Sequence, residues 1–320
     1  MAALAPGYRS YRRLISSAAA WSSRLAHLVS HRWGYKGLDT DETGTMDDYR
    51  RPATNLHERI TGTLMGLAAG DRIGGPLQFA LRLAESLAEN RGYDRSDVFQ
   101  RYLAWYREGA FDTGPVADRV LALALSGVSV DSAVTRVDRE LDGQTAGCNP
   151  AHRVAPIAMA LILPDEVVAE TALQEASLTH HHPLAGDAAA AVAVLCRALI
   201  RGESWETAID RAAEGRLPEI RFALQPGAYA DLVPSGFAPE TLQAAVHFVH
   251  YAHCFGDALA ASLRFAGGAN YAPVLVGAIG GTRWGVREIP ASELAHCLDL
   301  QRVKRVCQSR SLARTFSEPT

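Results

Sequence analysis

From residue 56 to about residue 300, apolar side chains recur at helical spacing and nowhere alternate with period two for long enough to make a strand. The segment 56–69 carries Ile60, Leu64 and Leu67 on one face and stops at Gly70. Segment 77–89 repeats the pattern with Leu77, Leu81, Ala84 and Leu87, and 96–107 with Val98, Tyr102 and Trp105. Segments 131–141, 165–178, 183–200, 204–213, 239–255 and 257–265 continue the series, Ser204 capping its helix with Glu206 behind it. The chain holds 54 alanines and few β-branched runs, which favours closely packed helices. The expected fold is therefore all-α: a compact single-domain orthogonal bundle of roughly a dozen helices. No fixed-length repeat is present, which argues against a solenoid.

The remaining bulk properties exclude several functional classes. A net charge of −3 over 320 residues lacks the basic excess of a nucleic-acid binder, so no nucleic-acid partner is expected. Five cysteines at 148, 196, 254, 297 and 307 form no CxxC pair, which fits a reducing cytoplasm better than a disulfide scaffold. No uncharged apolar run reaches the roughly 18 residues of a membrane span, so no membrane partner is expected. Residues 1–37 contain Arg9, Arg12, Arg13, Arg24, Arg32 and Lys36 but no acid, and read as a basic extension or a transit-like arm. An acidic linker runs from Asp39 to Asp48. The expected division is a basic extension and linker over 1–55, a helical domain over 56–290, and a basic, fraying tail over 291–320 with Arg302, Lys304, Arg305, Arg310 and Arg314.

Polar chemistry in such a bundle concentrates in its connections. Five of them couple Gly or Pro with polar side chains: 70–76, 109–115, 146–153, 178–183 and 267–273. Each joins helices, and helix N-termini gathered on one site suit a phosphate or carboxylate.

Taken together these connections resemble the ADP-ribosylglycohydrolase family. The matching elements are Gly66-Leu67-Ala68-Ala69-Gly70-Asp71-Arg72-Ile73-Gly74-Gly75-Pro76, the helix Ala80-Leu81-Arg82-Leu83-Ala84-Glu85-Ser86-Leu87, Trp105-Tyr106, Asn149-Pro150-Ala151-His152-Arg153-Val154-Ala155-Pro156-Ile157, Thr179-His180 with Pro183, and Gly277-Ala278-Ile279-Gly280-Gly281-Thr282-Arg283-Trp284-Gly285. They fall in family order over about 56–290. The resemblance implies a compact all-α domain with one cleft and hydrolysis of a glycosidic bond to ADP-ribose.

The same resemblance exposes two departures. Active members carry Asp-Asp-Thr ahead of the Ala-Leu-x-Leu-Ala-Glu-Ser-Leu helix, where this chain has Gly75-Pro76-Leu77 after an apparent deletion. They also carry Asp-x-Asp-Thr ahead of the last helix, where this chain has Gly268-Ala269-Asn270-Tyr271. The family uses Mg²⁺, a hard cation that needs about six oxygens, so the expectation is no metal ligand and no cofactor here. The remaining candidates for catalysis are Asp71, Asp112 and His180, with Asp187 as a further carboxylate. The candidates for substrate binding are Thr113, Asn149, His152, Arg153, Thr179, His182, Asn270 and Tyr271. The structural alternatives are Asp71 as a turn former, Asp112 and Asp187 as helix-start acids, Arg153 in a buried pair with an Asp, and Tyr271 as a space filler. His247, His250 and His253 share a helix face and read as half-buried structural residues before metal ligands, and Cys148 is a weak nucleophile candidate. Three functions follow: a metal-independent hydrolase of an ADP-ribosyl, ribosyl or nucleoside-type bond, a non-catalytic ADP-ribose or nucleotide binder, and an enzyme of small-molecule metabolism using the same cleft. The expected partner is a small-molecule or ADP-ribosyl-type substrate, with a homo-oligomer possible.

Overall fold

The computed structural model describes residues 54–227 and 229–309, within one compact unit that runs from Ala53 onward. Among the described residues the secondary structure is helical: α1 (Leu56–Gly70), α2 (Gly75–Asn90), α3 (Arg95–Arg107), α4 (Pro115–Leu125), α5 (Val130–Glu140), α6 (Asn149–Arg153), α7 (Ala155–Met159), α8 (Val168–Ala176), α9 (Pro183–Ile200), α10 (Trp205–Ala213), α11 (Pro218–Ala223), α12 (Ala238–Tyr251), α13 (Phe255–Ala266), α14 (Ala272–Trp284) and α15 (Leu300–Cys307). The only extended pairing among them is an isolated bridge between Gly147 and Phe237. The expected all-α architecture is what the chain adopts.

Helix α9 sits at the centre. Its sequence Pro183–Ile200 has the length and apolarity of a membrane span, yet 89% of that stretch is buried inside the domain. A helix that is apolar all round is a core helix when neighbours cover it. The run of Ala188, Ala189, Ala190 and Ala191 is fully buried and lets α8 and α10 approach closely. Arg197 does not break this core, because it threads back to the turn after α7 and donates to the carbonyls of Ile157, Ala158, Ala160 and Leu163, with Asp165 at 2.6 Å. One buried cation thus gathers four carbonyls of α7 and the turn that follows it.

The closest helix pair is α1 against α14. Gly62, Gly66 and Gly70 on α1 face Gly281, Gly277 and Pro273 on α14; a methyl added at any of the three α1 glycines would lie 2.1 Å from the facing carbonyl oxygen. The pair is antiparallel, so the end of α1 is held beside the start of α14. Thr63 and Thr282 close the middle with a buried hydroxyl–hydroxyl bond of 2.9 Å.

One boundary differs from the sequence reading. The segment 291–309, expected as a fraying tail, is folded: Val303, Val306 and Cys307 of α15 are buried, Arg302 pairs with Glu85 at 2.7 Å, and Gln78 donates to Asp299 at 2.6 Å. A strongly amphipathic turn of Val303, Val306 and Cys307 was masked in the sequence by its dense basic residues. Residues 1–53, nearly all of the expected extension and linker, and 310–320, with Arg310 and Arg314, lie outside the described residues.

Candidate functional site

The glycine contact of α1 with α14 decides where the site begins, because it sets Asp71, just past α1, beside Asn270, just before α14. Asp71 is buried, and its Oδ1 accepts from the Ile73 amide at 3.2 Å, the Gly74 amide at 2.7 Å and Asn270 Nδ2 at 2.7 Å. Its Oδ2 accepts from the Leu77 amide at 2.8 Å, inside the first turn of α2. Four donors on two oxygens is about what a carboxylate accommodates. Asn270 Oδ1 in turn accepts from the Arg72 amide at 3.1 Å. His296 Nε2 reaches the Asp71 carbonyl at 3.0 Å, and Arg72 bonds both Glu293 and His296, so the C-terminal segment straps the outside of this turn.

The short turn delivers the chain directly into α2. Gly74 takes φ +113° ahead of it, a conformation that suits glycine. Gly75 then packs against the 109–115 loop: a methyl there would lie 2.3 Å from the Asp112 carbonyl oxygen. Position 75 is where the family resemblance aligns the first metal aspartate, and the local packing has no room for a side chain there.

Asp112 is a left-handed residue with φ +50°, which aspartate tolerates better than most side chains do but at a cost. The residue reaches solvent, yet its carboxyl lies against the start of α2. Its pKa is pushed up to about 6, first by desolvation, then by the nearby Asp71 charge, against a bond from the Gly75 amide that favours the ionised form. Next to it, the Thr113 carbonyl accepts from Asn149 Nδ2, while the buried Thr113 hydroxyl turns to Asp118 at 3.3 Å. Gly114 and Asn149 are so close that a methyl on Gly114 would lie 2.4 Å from Asn149 Nδ2. Tyr271 is 39% exposed, with its ring lying over Gly236, whose carbonyl accepts from the Cys148 amide; partial burial first, and the Asp112 carboxylate after it, raise its phenol.

Arg153 goes inward. Its side chain is fully buried: Nε donates to Glu175 Oε1 at 2.6 Å, Nη2 donates to Thr179 Oγ1 at 2.8 Å, and the guanidinium stacks over the rings of Phe79 and Tyr102 at 5.0 and 5.4 Å. Tyr102 donates to the same Glu175 oxygen at 2.8 Å. The buried pair anticipated for Arg153 is what the structure contains, with a glutamate as the acid. Glu175 and Tyr102 are not among the expected site residues; Glu175 lies in the last turn of α8, four residues ahead of Thr179 in the turn that follows.

His180 leads back from this core to the surface. Its Nδ1 is 2.8 Å from Thr179 Oγ1, and burial, reinforced by the Arg153 charge, holds its pKa well below the usual histidine range. The Nε2 edge faces Gly147, where an added methyl would lie 3.2 Å away. His152 is also buried; desolvation lowers it to about 4 against a bond with the Tyr271 backbone that raises it, and its Nδ1 lies 4.0 Å from Cys148 Sγ. The Cys148 thiol is pushed up to about 12 by burial, which removes it as a nucleophile.

Asp71, Asp112, Thr113, Asn149, Asn270 and Tyr271 are thus one connected neighbourhood, with Gly147 and His180 continuing from Asn149 through adjacent chain positions. Arg153, Thr179 and His152 are buried behind it, and His182 and Asp187 fall elsewhere. His182 caps α9, its Nδ1 accepting from the Leu184 amide at 3.2 Å. Asp187 is buried in a tie to Arg216 at 2.9 Å and the Leu217 amide at 2.7 Å. His247 and His250 are used structurally, bonding the Gly227 carbonyl and accepting from Trp205 Nε1. Among the described residues no three His, Cys, Asp or Glu side chains gather in a way that could hold a metal ion.

Helical layering, the glycine-packed α1–α14 pair and the polar turns at their shared end define a glycohydrolase-like α-helical domain. The chain belongs to the ADP-ribosylglycohydrolase family, whose model matches residues 52–319. It is 21% identical over 276 residues, 75% of this chain and 90% of the relative, to an ADP-ribosyl-[dinitrogen reductase] glycohydrolase of Rhodospirillum rubrum. A solved structure titled "ADP-ribosylglycohydrolase-related protein complex" shares the fold with a TM-score of 0.67 and 24% identity, covering 81% of this chain and 98% of that one.

Proposed function

We propose that this chain acts on an ADP-ribosyl-type glycosidic bond without the family's pair of magnesium ions, with Asp112 as the base. The observation that carries the reading is Asp112 itself: an exposed residue held in a left-handed backbone, its carboxyl against the start of α2 and near a second carboxylate, with its pKa raised to about 6. Strained residues and pairs of carboxyls that shift one another concentrate where chemistry is done. In the step this supports, Asp112 takes a proton from a water whose oxygen bonds to C1 of the ribose. The bond from C1 to the leaving group breaks with its electron pair on the leaving atom, which takes a proton from solvent. Asn149, Asn270 and Tyr271 supply hydrogen bonds to ribose hydroxyls.

The donor set speaks against the metal route. The oxygens of Asp71 are turned into the α2 start, Gly75 has no room for a carboxylate, and Asn270 and Tyr271 stand where the second acidic motif would be. A specific observation also favours binding without turnover: Asp71, the second carboxylate a glycosidase would use, is committed to four donors. The test is incubation with an ADP-ribosylated peptide, with and without EDTA. Release of ADP-ribose that EDTA leaves unchanged supports the hydrolase. Release that EDTA abolishes overturns the metal-free reading. Calorimetric binding of ADP-ribose with no release assigns the chain to the binders.

A further inference from the structure

We propose that Thr179 is a positioning residue that fixes His180 in the tautomer protonated at Nε2, so that His180 presents a neutral N–H donor beside Gly147 to an oxygen acceptor of the ligand. The inference rests on the site reading above and follows from hydrogen-bond bookkeeping. Arg153 Nη2 has only protons to offer, so Thr179 Oγ1 must accept from it at 2.8 Å. The Thr179 side chain is fully buried, and the one acceptor within reach of its hydroxyl proton is His180 Nδ1, also at 2.8 Å. A buried hydroxyl does not leave its proton unpaired where an acceptor is available. Nδ1 therefore accepts, and the ring proton resides on Nε2.

The direction of this chain is set from its buried end. Glu175 Oε1 holds Arg153 Nε at 2.6 Å, and the stacked rings of Phe79 and Tyr102 keep the guanidinium in place. The order Glu175, Arg153, Thr179, His180 thus runs from acceptor to donor outward, and reversing it would require a proton that arginine cannot accept. At the outer end Nε2 faces Gly147, where an added methyl would lie 3.2 Å from it, so the glycine leaves beside this donor the room that a side chain would take. A neutral donor next to the start of α6 suits a ribose hydroxyl or a phosphate oxygen. It is unsuited to a proton-transfer role, because a ring next to Arg153 and buried from solvent resists taking a second proton.

The test is nitrogen-15 NMR of the histidine side chains in the full ligand-free chain, His180 being assigned by loss of its signal in His180→Gln. The Nε2–H pattern is expected, unchanged across the range where an ordinary histidine titrates. In Thr179→Val the pattern becomes a tautomer mixture, and Thr179→Ser restores it. An Nδ1–H pattern, an ordinary titration, or a Thr179→Val spectrum like the wild type overturns the proposal. Should Thr179→Val fail to fold, Gly147→Ala reports instead: it keeps the tautomer signal and weakens ADP-ribose binding about fivefold or more, in line with loss of one hydrogen bond. Undiminished binding by Gly147→Ala overturns the donor's contact with the ligand. If the wild type binds no ADP-ribose at all, the proposed function fails, while the tautomer is still decided by its own signal.

Discussion

Gly66 and Gly277 meet backbone to backbone: a methyl on Gly66 would lie 2.1 Å from the Gly277 carbonyl oxygen, and a methyl on Gly277 would lie 2.1 Å from that of Gly66. Neither neighbour is a side chain that can swing away, so an alanine at either position must push α1 and α14 apart. Alanine gains about 1 kcal/mol in helix propensity, which is smaller than an overpacking penalty of about 3 kcal/mol or more where backbones must separate. Gly66→Ala is therefore expected to lower the denaturant midpoint substantially. It should also weaken ligand binding, because the same contact holds Asn270 against Asp71. A Gly66→Ala protein as stable as the wild type would show that the helices are not packed this closely.

The Arg153–Glu175 pair gives the opposite kind of prediction, one about removing atoms. Both side chains are fully buried, and Arg153 Nη1 and Glu175 Oε2 have no partners among the described residues. Arg153→Met leaves Glu175 as an uncompensated buried charge, with an expected loss of about 3–5 kcal/mol in equilibrium unfolding. Removing the charge as well, in Arg153→Met with Glu175→Leu, should recover much of that loss. If the double variant is as unstable as the single one, the pair is held by packing and not by charge compensation.

Most of the helical framework is readable from the sequence because its causes are local. The segment 183–200 is a helix at those residues, and α1, α2, α3, α5 and α10 start within two residues of their expected positions. What escapes is set by tertiary contact. Helices α6 and α7 are short turns held by the carbonyl bonds of Arg197 and by Arg153, neither of which periodicity can register. The two helices expected over 239–255 and 257–265 are α12 and α13, but the first ends at Tyr251, because the backbone turns extended at Ala252, and the second begins at Phe255. In the site, residue types located the right turns, but not the direction of the side chains: Asp71 points into α2, Arg153 into the core, and His182 along its own helix.

Acid sensitivity follows from the buried histidines. Burial lowers His152 from an ordinary 6.5 to about 4, and lowers His180 as well. The folded state binds these protons less readily than the unfolded state. Their contribution is therefore complete above about pH 6.5 and is lost as pH falls towards about 4, on the order of 3 kcal/mol for His152 alone. Thermal melts should show a steep loss of stability across that window, before most carboxylates titrate. His152→Gln should flatten the upper part of the curve. A melting temperature that stays level over the window would mean the imidazoles are hydrated.

Asp112 has the reverse sign. Its folded pKa of about 6 lies above the ordinary 3.8, so the folded state holds this proton more tightly. The stability it contributes is present below about pH 3.8 and is lost as pH rises through about 6. Asp112→Asn, uncharged and tolerant of φ +50°, should melt above the wild type at neutral pH, the gap closing in acid. Asp112→Ala should melt lower than Asp112→Asn by about 1 kcal/mol, because alanine pays the full left-handed strain. Turnover should rise with pH through about 6 in the wild type and fall about a hundredfold or more in Asp112→Asn, with ADP-ribose affinity little changed. Turnover that survives in Asp112→Asn would remove this residue as the base and leave its raised pKa as a consequence of helix-start packing alone.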